Sequence, residues 1–441
     1  MTDYLWTKSS DADRPDAALQ QFLSGEDLKW DRYLFEFDIA ASQAHARGLQ
    51  RIGILTDEEC DLLTAELTEL LTAFRAKTFR LEPPQEDAHS AIESWLEKKL
   101  SDVGRKIHTG RSRNDQVQVA LRLYLRAALD RLRENCTQSA GVFLDRAGQT
   151  QRTPMPGYTH LQRAVPSTVE MWLAAYAEAF IDAAELASLT RHWLNASPLG
   201  TAAGYGVNLR LDRLGVAAEL NFDRLQINPI HVQNSRGQIE FQVLACFAQA
   251  TLTLRRFAWD VSLFACQEFD FIRLPSQFTT GSSLMPNKSN PDTVELLRAQ
   301  HAVVQGALSE VQALLSLPAG YHRDLQLTKA ATIRAVESSL CGLQFVPALV
   351  LGLQFQTERM RAAISPDMYT TDVALDRVQY DGMAFRDAYR QPIDPNELAR
   401  RTPEQSISAR VSPGSCNDLM LEELKKRLSA LGTTQSDYGS H

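Results

Sequence analysis

A single stretch from Gln238 to Ile272 contains neither proline nor glycine, the two residues that most often interrupt a helix. It predicts one continuous α-helix, which at 1.5 Å per residue would be about 50 Å long. A helix of that length is a rod, and in water it is stable only where other parts of the protein cover several of its sides. The sequence therefore favours a fold of long helices packed side by side.

Four more segments combine helical hydrophobic periodicity with a scarcity of helix breakers. Together with the first, they predict five long helices at roughly residues 111–148, 166–196, 235–272, 290–316 and 327–357. Ser167 and Glu170, just after Pro166, have the spacing of a capping box at the start of the second helix. We expect an all-α protein whose centre is a long five-helix bundle.

The second predicted helix is apolar nearly all round over Met171–Ala177. Such a helix is either buried or spans a membrane, and the acidic residues Glu178, Asp182 and Glu185 argue against a membrane. We predict that other subunits bury the surface of the bundle further. An ordinary single-chain core remains the alternative.

The segments before and after the predicted bundle are predicted to form separate helical domains. Residues 1–107 predict an N-terminal domain, in which Thr56 and Glu59 have capping-box spacing before a helical pattern of leucines. Residues 108–356 form the predicted central bundle, and residues 357–441 a small C-terminal helical domain. We therefore expect three helical domains.

The charge and composition exclude several classes of partner. The formal net charge is 46 − 54 = −8 without any basic block, which argues against nucleic acid and anionic membranes. The segment Met1–Arg14 has no apolar signal core, and no uninterrupted apolar run of transmembrane length appears. We expect a cytoplasmic protein, and a small anionic substrate remains possible because the charge of a site can differ from the net charge.

The six cysteines are dispersed, with no C-x-x-C pair and no His/Cys spacing typical of a metal site. The sequence also contains no P-loop and no glycine-rich dinucleotide fingerprint. We expect reduced thiols and no bound metal.

The loop Thr279–Pro291 lies between two long predicted helices and is rich in chemically useful groups. Ser282, Lys288 and Asn290 supply a hydroxyl, an ammonium and an amide. Such a set can abstract a proton and hold a carboxylate. On composition alone, a solvated loop between helices is the alternative.

The segment His108–Asp115 precedes the first long helix. The guanidinium of Arg113 matches the geometry of a carboxylate, and Ser112 and Asn114 add hydrogen-bond donors at a helix N-terminus. These residues are candidates for substrate binding. Simple helix capping by Ser112, Asn114 or Asp115 explains the same pattern.

Two further polar segments are candidates. Thr159-His160 places a histidine beside a hydroxyl and suggests a proton carrier, although most isolated histidines are structural. Tyr321, Gln326 and Lys329 offer donors for the amino-acid end of a substrate. The alternative is a polar turn that leads into a helix.

These segments resemble the argininosuccinate lyases and delta crystallins, one branch of the fumarase/aspartase superfamily. Gly281–Pro291 is similar to the signature loop of the superfamily, and the Thr159-His160 segment to its second block. His108–Gln116 and Tyr321–Lys329 are similar to motifs of the argininosuccinate lyase branch, and His89 lies in a third such motif with a supporting role. The resemblance covers nearly the whole chain.

The resemblance implies a fumarase/aspartase-like fold and a reaction that splits argininosuccinate into arginine and fumarate. Ser282 would be the general base, used as an alkoxide stabilised by backbone N–H groups around Gly281 and Lys288. His160 would serve the acid step, polarised by Glu295. No organic cofactor is implied, because no redox step or hydride transfer occurs.

The resemblance also implies which residues bind the substrate. The fumarate carboxylates would meet Lys288, Asn290, Ser112, Asn114 and Thr159. The arginine moiety would meet Tyr321, Gln326, Lys329 and the N-terminal Ser24.

A homotetramer is implied, in which the central helices form one joint bundle and each site draws loops from three subunits. The chain departs from the family at Arg236, which is flanked by Ser235 and Gly237 instead of acidic residues. Two alternatives remain open. One is another fumarate-releasing lyase, such as one acting on adenylosuccinate, and the other is a crystallin-like structural protein without activity.

Overall fold

The structure, a computed structural model, describes residues 17–83, 85–150 and 152–432. The polar N-terminal segment Met1–Arg14 lies outside these ranges. All of the predicted site residues lie within them.

The described chain is predominantly helical. In chain order the α-helices are α1 (Ala17–Ser24), α2 (Asp27–Asp31), α3 (Phe35–Arg51), α4 (Asp57–Arg75), α5 (Ala88–Leu100), α6 (Asp102–Arg105), α7 (Arg113–Gln149), α8 (Val169–Leu194), α9 (Arg213–Glu219), α10 (Pro229–Asn234), α11 (Gln238–Phe264), α12 (Asp292–Leu314), α13 (Thr328–Leu343), α14 (Val346–Gly352), α15 (Thr357–Ala362), α16 (Thr370–Asp381), α17 (Phe385–Arg390), α18 (Pro395–Ala399), α19 (Pro403–Ala409) and α20 (Leu421–Gly432). Short 3₁₀ turns lie at Lys106–His108, Ser276–Phe278, Arg323–Leu327 and Pro366–Tyr369. The predicted all-α class is confirmed.

The strands are short and pair two by two. They are β1 (Pro154–Thr159), β2 (Gln162–Thr168), β3 (Ala196–Ser197), β4 (Arg224–Leu225), β5 (Ile272–Arg273), β6 (Thr280–Gly281), β7 (Ser289–Asn290) and β8 (Gln354–Phe355). The pairs β1–β2, β5–β8 and β6–β7 are antiparallel, and β3–β4 is parallel. These pairs fix loops between helices and form no larger sheet in the described chain.

The chain divides into two compact units. Unit 1 contains the described residues of Met1–Asp130, Ser188–Cys246 and Val304–Glu337. Unit 2 contains those of Arg131–Ala187, Phe247–Val303 and Ser338–His441. The borders fall inside α7, α8, α11, α12 and α13, so each of these helices belongs to both units. The division into three domains at residues 107 and 356 stays a prediction.

In unit 1, α3, α4 and α5 enclose an apolar core. The predicted capping box is present, because Thr56 Oγ1 accepts the N–H of Glu59 and the Glu59 carboxylate accepts the N–H of Thr56. It sets the start of α4 so that Leu63 and Leu67 face inward, where they pack in one cluster with Phe35 of α3. All three side chains are fully buried.

In unit 2, aromatic side chains join α7, α8 and α11. The ring of Phe143 in α7 lies 5.1 Å from that of Phe257 in α11 and 5.8 Å from that of Tyr176 in α8. Tyr176 and Trp172 both donate hydrogen bonds to Asp260 Oδ2, at 2.6 Å and 2.9 Å. The apolar face of α8 thus packs against α7 and α11, and the polar ends of Trp172 and Tyr176 share the carboxylate of Asp260.

Helix α11 ends at Phe264, and the prediction that it continues to Ile272 is wrong. The N–H of Phe271 donates to the carbonyl of Phe264 at 2.9 Å, so the chain turns back on the helix end. Asp270 takes a left-handed conformation with φ of 47°, and the ring of Phe271 packs at a tilt against those of Phe264 and Phe269. Burial of these aromatic rings outweighs the helical propensity of a stretch without breakers.

The fifth predicted helix is also interrupted. Helix α13 ends at Leu343, and α14 begins at Val346 with Pro347 in its first turn. In a continuous helix the ring of Pro347 would clash with the carbonyl of Leu343 four residues earlier. The proline therefore divides the predicted helix 327–357.

One stretch of the described chain, Arg323–Gly352, is long and apolar enough to span a membrane by length and composition. It is divided between a 3₁₀ turn, α13 and α14, and 56% of its most apolar window is buried inside the protein. Lys329 within it is buried in ion pairs. These are features of core helices in a folded protein.

The predicted capping box of Ser167 and Glu170 is wrong. Ser167 belongs to β2, and the cap of α8 is Thr168, whose Oγ1 accepts the N–H of Met171 at 3.1 Å. The carboxylate of Glu170 instead accepts the N–H of Thr153 at 2.9 Å. Glu170 thereby fixes the base of the β1–β2 hairpin to α8.

Candidate active site

Unit 1 contains a cavity of about 210 Å³. Its wall is formed by the turn between α1 and α2, by residues around the start of α5 and by the first turns of α7. Arg236, just before α11, and the segment that leads into α13 complete it. Its lining residues are Leu23, Ser24, Asp27, Glu86, Asp87, His89, Arg113, Asn114, Val117, Arg236, Tyr321, Arg323, Gln326 and Lys329. Six residues predicted to bind substrate are thus brought together: Ser24, Arg113, Asn114, Tyr321, Gln326 and Lys329.

Lys329 is 4% exposed and faces two carboxylates. Its ammonium lies 2.8 Å from Asp27 Oδ1 and also pairs with Asp31. Burial by itself lowers the pKa of Lys329, but the charges of Asp31 and Asp27 outweigh burial and raise that pKa. Burial raises the pKa of Asp27; the charge of Lys329 opposes this, and the charge of Asp31 adds to it. One cation therefore serves two anions.

Gln326 fixes the turn between α1 and α2 at the cavity. Its Nε2 donates to Asp27 Oδ2 at 2.7 Å and to the carbonyls of Leu23 and Ser24 at 3.2 Å and 3.3 Å. Arg323 donates to the same Leu23 carbonyl at 2.7 Å. These contacts bring Ser24 to the cavity, and its role in substrate binding stays a prediction.

Arg113 holds two carboxylates of the protein itself. Its Nη1 lies 2.9 Å from Glu86 Oε2 and 3.4 Å from Asp87 Oδ2. Burial by itself raises the pKa of Asp87, but the positive charges of His89 and Arg113 and hydrogen bonds from Ser90 lower it overall. Asp87 is therefore an anion in the cavity wall. Binding of a substrate carboxylate by Arg113 stays a prediction.

Two residues predicted to bind substrate, Ser112 and Asn114, take part in capping the start of α7. The N–H of Ser112 donates to Asp115 Oδ1 at 2.9 Å, and Ser112 Oγ accepts the N–H of Asn114 at 3.3 Å. Ser112 lines a separate groove of about 570 Å³ together with Arg111 and Arg113. Capping is thus one role of Ser112 in this structure, and contact with substrate stays a prediction.

Arg236 lies against Tyr321 in the cavity wall. Its guanidinium carbon is 5.4 Å from the centroid of the Tyr321 ring, a cation–π contact. Its Nε is buried and has no hydrogen-bond partner among the described residues. No acidic neighbour in sequence balances Arg236, and the nearby Glu240 accepts the N–H of Gly237 at 2.7 Å instead.

Unit 2 carries Thr159 and His160 at the tip of the β1–β2 hairpin. Thr159 pairs with Gln162, so His160 and Leu161 form a two-residue loop. Both loop residues have positive φ angles, 55° and 57°, as in turns of type I′. Both Thr159 and His160 are exposed. The paired strands β1 and β2 thus present the histidine at an exposed hairpin tip.

The loop of unit 2 that contains Ser282 lies between β6 and β7. Ser282 Oγ accepts the backbone N–H groups of Met285 and Leu284, at 3.0 Å and 3.3 Å. Such donors favour the charged form of the oxygen. Both donors lie between Gly281 and Lys288, in the part of the loop predicted to supply them, whereas the N–H of Lys288 itself donates to the Met285 carbonyl at 3.1 Å.

Lys288 and Glu295 are both exposed, and Asn290 is half-buried. Asn290 lies in β7, opposite Thr280, and its position follows from this strand pair. Glu295 lies in the first turn of α12, 3.3 Å from Arg298 Nη2. The pairing of Glu295 with His160 stays a prediction.

Comparison with known proteins identifies the family. The sequence profile of a lyase family matches residues 14–306. An argininosuccinate lyase of Xanthomonas campestris pv. campestris (strain B100) is 52% identical over 98% of this chain and 100% of its own length. The chain belongs to the argininosuccinate lyase family. Relatives of the same name from Stenotrophomonas maltophilia and Xylella fastidiosa are 52% and 51% identical, over 98% and 99% of this chain.

Solved structures share the fold. An EDDS lyase in complex with formate has a TM-score of 0.81 at 23% identity and covers 94% of this chain and 90% of its own. A class II fumarase from Schistosoma mansoni has a TM-score of 0.71 at 16% identity, with 93% of both chains covered. The fumarase-like all-α architecture is therefore shown for this member of the argininosuccinate lyase family.

Several charged residues that line the cavity were not predicted from the sequence. They are Asp27, Glu86, Asp87 and Arg323, and Arg236 was noticed only as a departure from the family pattern. Asp27 and Asp87 lie close in sequence to Ser24 and His89. That proximity was a usable signal, but no residue spacing reveals which of several acids faces a cavity.

Proposed function

We propose that this protein is an argininosuccinate lyase, a carbon–nitrogen lyase that splits argininosuccinate into arginine and fumarate in arginine biosynthesis. The observation that carries the proposal is the 52% identity to an argininosuccinate lyase over 98% of this chain. The chemistry of the predicted residues fits such a β-elimination.

The first step removes a proton from the carbon beside a carboxylate of the succinate half. The electron pair left behind is delocalised into that carboxylate, which becomes an aci-carboxylate dianion. We assign the proton removal to Ser282 as an alkoxide. Support comes from the two backbone N–H groups, of Leu284 and Met285, that point at its oxygen and stabilise negative charge there.

In the second step the C–N bond breaks, the C=C bond of fumarate forms, and the departing guanidino nitrogen takes up a proton. We assign this acid step to His160, because an imidazole side chain can both donate and accept a proton near neutral pH. Glu295 is the proposed carboxylate partner of the imidazole. Lys288, which has no ion pair among the described residues, and Asn290 are proposed to hold the fumarate carboxylates, together with other donors. These are Ser112, Asn114 and Thr159.

The arginine half is assigned to the cavity of unit 1. Tyr321, Gln326, Lys329 and Ser24 line it, and its mixture of acids and cations suits a group that carries both charges. Arg113 is proposed to orient the same cavity wall through Glu86.

We also propose a cytoplasmic homotetramer whose subunits share each site. The exposure of Thr159 and His160 on a hairpin tip supports this, as do Leu189 and Trp193 on α8, which are 68% and 48% exposed in the single chain. Inactive Ser282→Ala and His160→Ala chains, co-assembled, should regain part of the activity. Verified mixed tetramers without any recovery would count against shared sites.

The test of the activity is fumarate release from argininosuccinate, followed by ultraviolet absorbance. We expect release by the wild type and a loss of about 10²–10⁴-fold in the Ser282→Ala variant. Release from adenylosuccinate instead would indicate the other lyase. A folded protein that releases fumarate from neither substrate would indicate a crystallin-like structural role.

A further inference from the structure

Two of the acids that line the cavity of unit 1 already have matched partners. Glu86 is 2.9 Å from Arg113. Asp87 caps α5 by accepting the N–H of Ser90 at 2.8 Å, and it also lies 3.4 Å from Arg113. Neither needs a further cation to balance its charge.

Asp27 differs from both. It shares the single ammonium of Lys329 with Asp31, which is 1% exposed and also accepts the N–H of Ala88. In these ion pairs two carboxylates share one ammonium group, so Lys329 alone does not balance Asp27. Asp31 is enclosed by the protein, whereas Asp27 lines the cavity, so a cation that enters would meet Asp27.

The partners of Asp27 leave room for such a contact. Its Oδ1 faces Lys329 and its Oδ2 accepts Gln326 Nε2 at 2.7 Å. Each carboxylate oxygen has two lone pairs, so each can accept another N–H. The same end of the cavity has donors for an anion in the third N–H of Lys329 and in the hydroxyl of Tyr321.

We propose that Asp27 accepts the α-ammonium group of the arginine half of the substrate and makes the site specific for an amino acid. The same guanidino acid without its amino group would then be disfavoured. The proposal rests on the proposed function, because it takes argininosuccinate and arginine as the ligands. An amino-acid head group presents an ammonium and a carboxylate on one carbon, and Asp27, Lys329 and Tyr321 offer the complementary charges side by side.

The first test compares two ligands on the full-length wild-type protein by isothermal titration calorimetry. L-Arginine carries the α-ammonium group, and 5-guanidinopentanoate is the same molecule without it. We expect arginine to bind about 10- to 100-fold more tightly, the range for a hydrogen bond between charged groups. Equal affinities would overturn the proposal without any variant being needed.

The second test repeats the comparison with Asp27→Asn, which keeps the size of the side chain and removes its charge. We expect the preference for arginine to disappear in this variant and to be retained in Asp27→Glu. Asp61→Asn, on the exposed face of α4, is the matched control and should keep the wild-type preference. Circular dichroism reports whether each variant folds.

Two outcomes separate this proposal from its alternatives. If Asp27→Asn weakens both ligands equally and keeps the preference, then Asp27 only positions Lys329, and the proposal is wrong. Fumarate release by the wild type is measured separately. A protein that prefers arginine but releases no fumarate would sink the proposed activity and leave the role of Asp27 standing.

Discussion

The imidazole Nδ1 of His89 lies 2.5 Å from Asp38 Oδ2, with both side chains buried. Gln116 donates to the other oxygen of Asp38 at 3.1 Å, so the carboxylate is held from two sides. Burial by itself lowers the pKa of His89, but the charge of Asp38 and the hydrogen bond to it raise that pKa to about 9. A cation is therefore fixed in the cavity wall at neutral pH.

This pair predicts a pH-dependent stability. A pKa raised from 6.5 to about 9 contributes stability that is fully present below pH 6.5 and is lost as the pH rises through 9. The contribution is about 3 kcal/mol for a shift of this size. Asp38→Asn should remove this contribution. The variant should therefore lose more stability relative to the wild type near pH 6 than above pH 9.

Urea denaturation at these two pH values measures the difference in free energy of unfolding. Asp61→Asn, an exposed carboxylate on α4, should show no such dependence. An equal loss of stability in Asp38→Asn at both pH values would mean that His89 is neutral in the folded protein.

Replacing each of two glycines by alanine should change the stability of the protein in opposite directions. Gly237, beside Arg236, has a φ of +82°, and an added Cβ would lie 2.2 Å from Leu315 Cδ2. Gly306 lies within α12, where a Cβ would meet nothing within 4 Å. We expect Gly237→Ala to lower the free energy of unfolding by about 1–3 kcal/mol and Gly306→Ala to raise it by about 0.5–1 kcal/mol.

Thermal or urea unfolding of both variants checks these signs. Because Gly237 positions Arg236 in the cavity wall, Gly237→Ala should also raise the KM for argininosuccinate, and Gly306→Ala should not. A stabilised Gly237→Ala protein would contradict the positive φ of Gly237.

Much of the architecture was predictable because long helices leave a strong periodic signal. The capping box of Thr56 and the long helices α7, α8, α11 and α12 follow from local sequence alone, whereas the fifth predicted helix is divided at Pro347. The end of α11 at Phe264 does not, because it depends on the ring of Phe271 packing against Phe264 at the helix end. That contact is tertiary, and no breaker marks it.

The site shows the same limit. Residue motifs indicated the Ser282 loop, yet the donors to its oxygen depend on how the loop closes, and they are Leu284 and Met285. Likewise, Lys329 was predicted only as a donor to the amino-acid end of a substrate, and the sequence indicated no acidic partner for it. Its ion pairs with Asp27 and Asp31 join residues about 300 positions apart, which spacing cannot show.

Asp260 should be important for the stability of unit 2. It accepts hydrogen bonds from Trp172 and Tyr176, and burial together with its charge raises the pKa of Tyr176. Asp260→Ala leaves both donors without this acceptor, and we expect a loss of about 2–4 kcal/mol in the free energy of unfolding. Tyr176→Phe removes one donor together with its need for an acceptor and should cost less. A loss in Tyr176→Phe as large as that in Asp260→Ala would contradict this explanation.

Leu161 adopts a left-handed backbone conformation, which is unfavourable for a residue with a branched side chain. With a φ of 57° at the hairpin tip and 70% exposure, it is strained by about 1–2 kcal/mol and gains little from burial. Leu161→Gly relieves the strain and should raise the thermal stability, whereas leucine-to-glycine changes usually lower it. Fumarate release should persist, because the strands that carry His160 keep their pairing. A clear fall in stability would mean that the Leu161 side chain is buried by contacts outside its own chain, and sedimentation of the variant would then show whether the assembly has weakened.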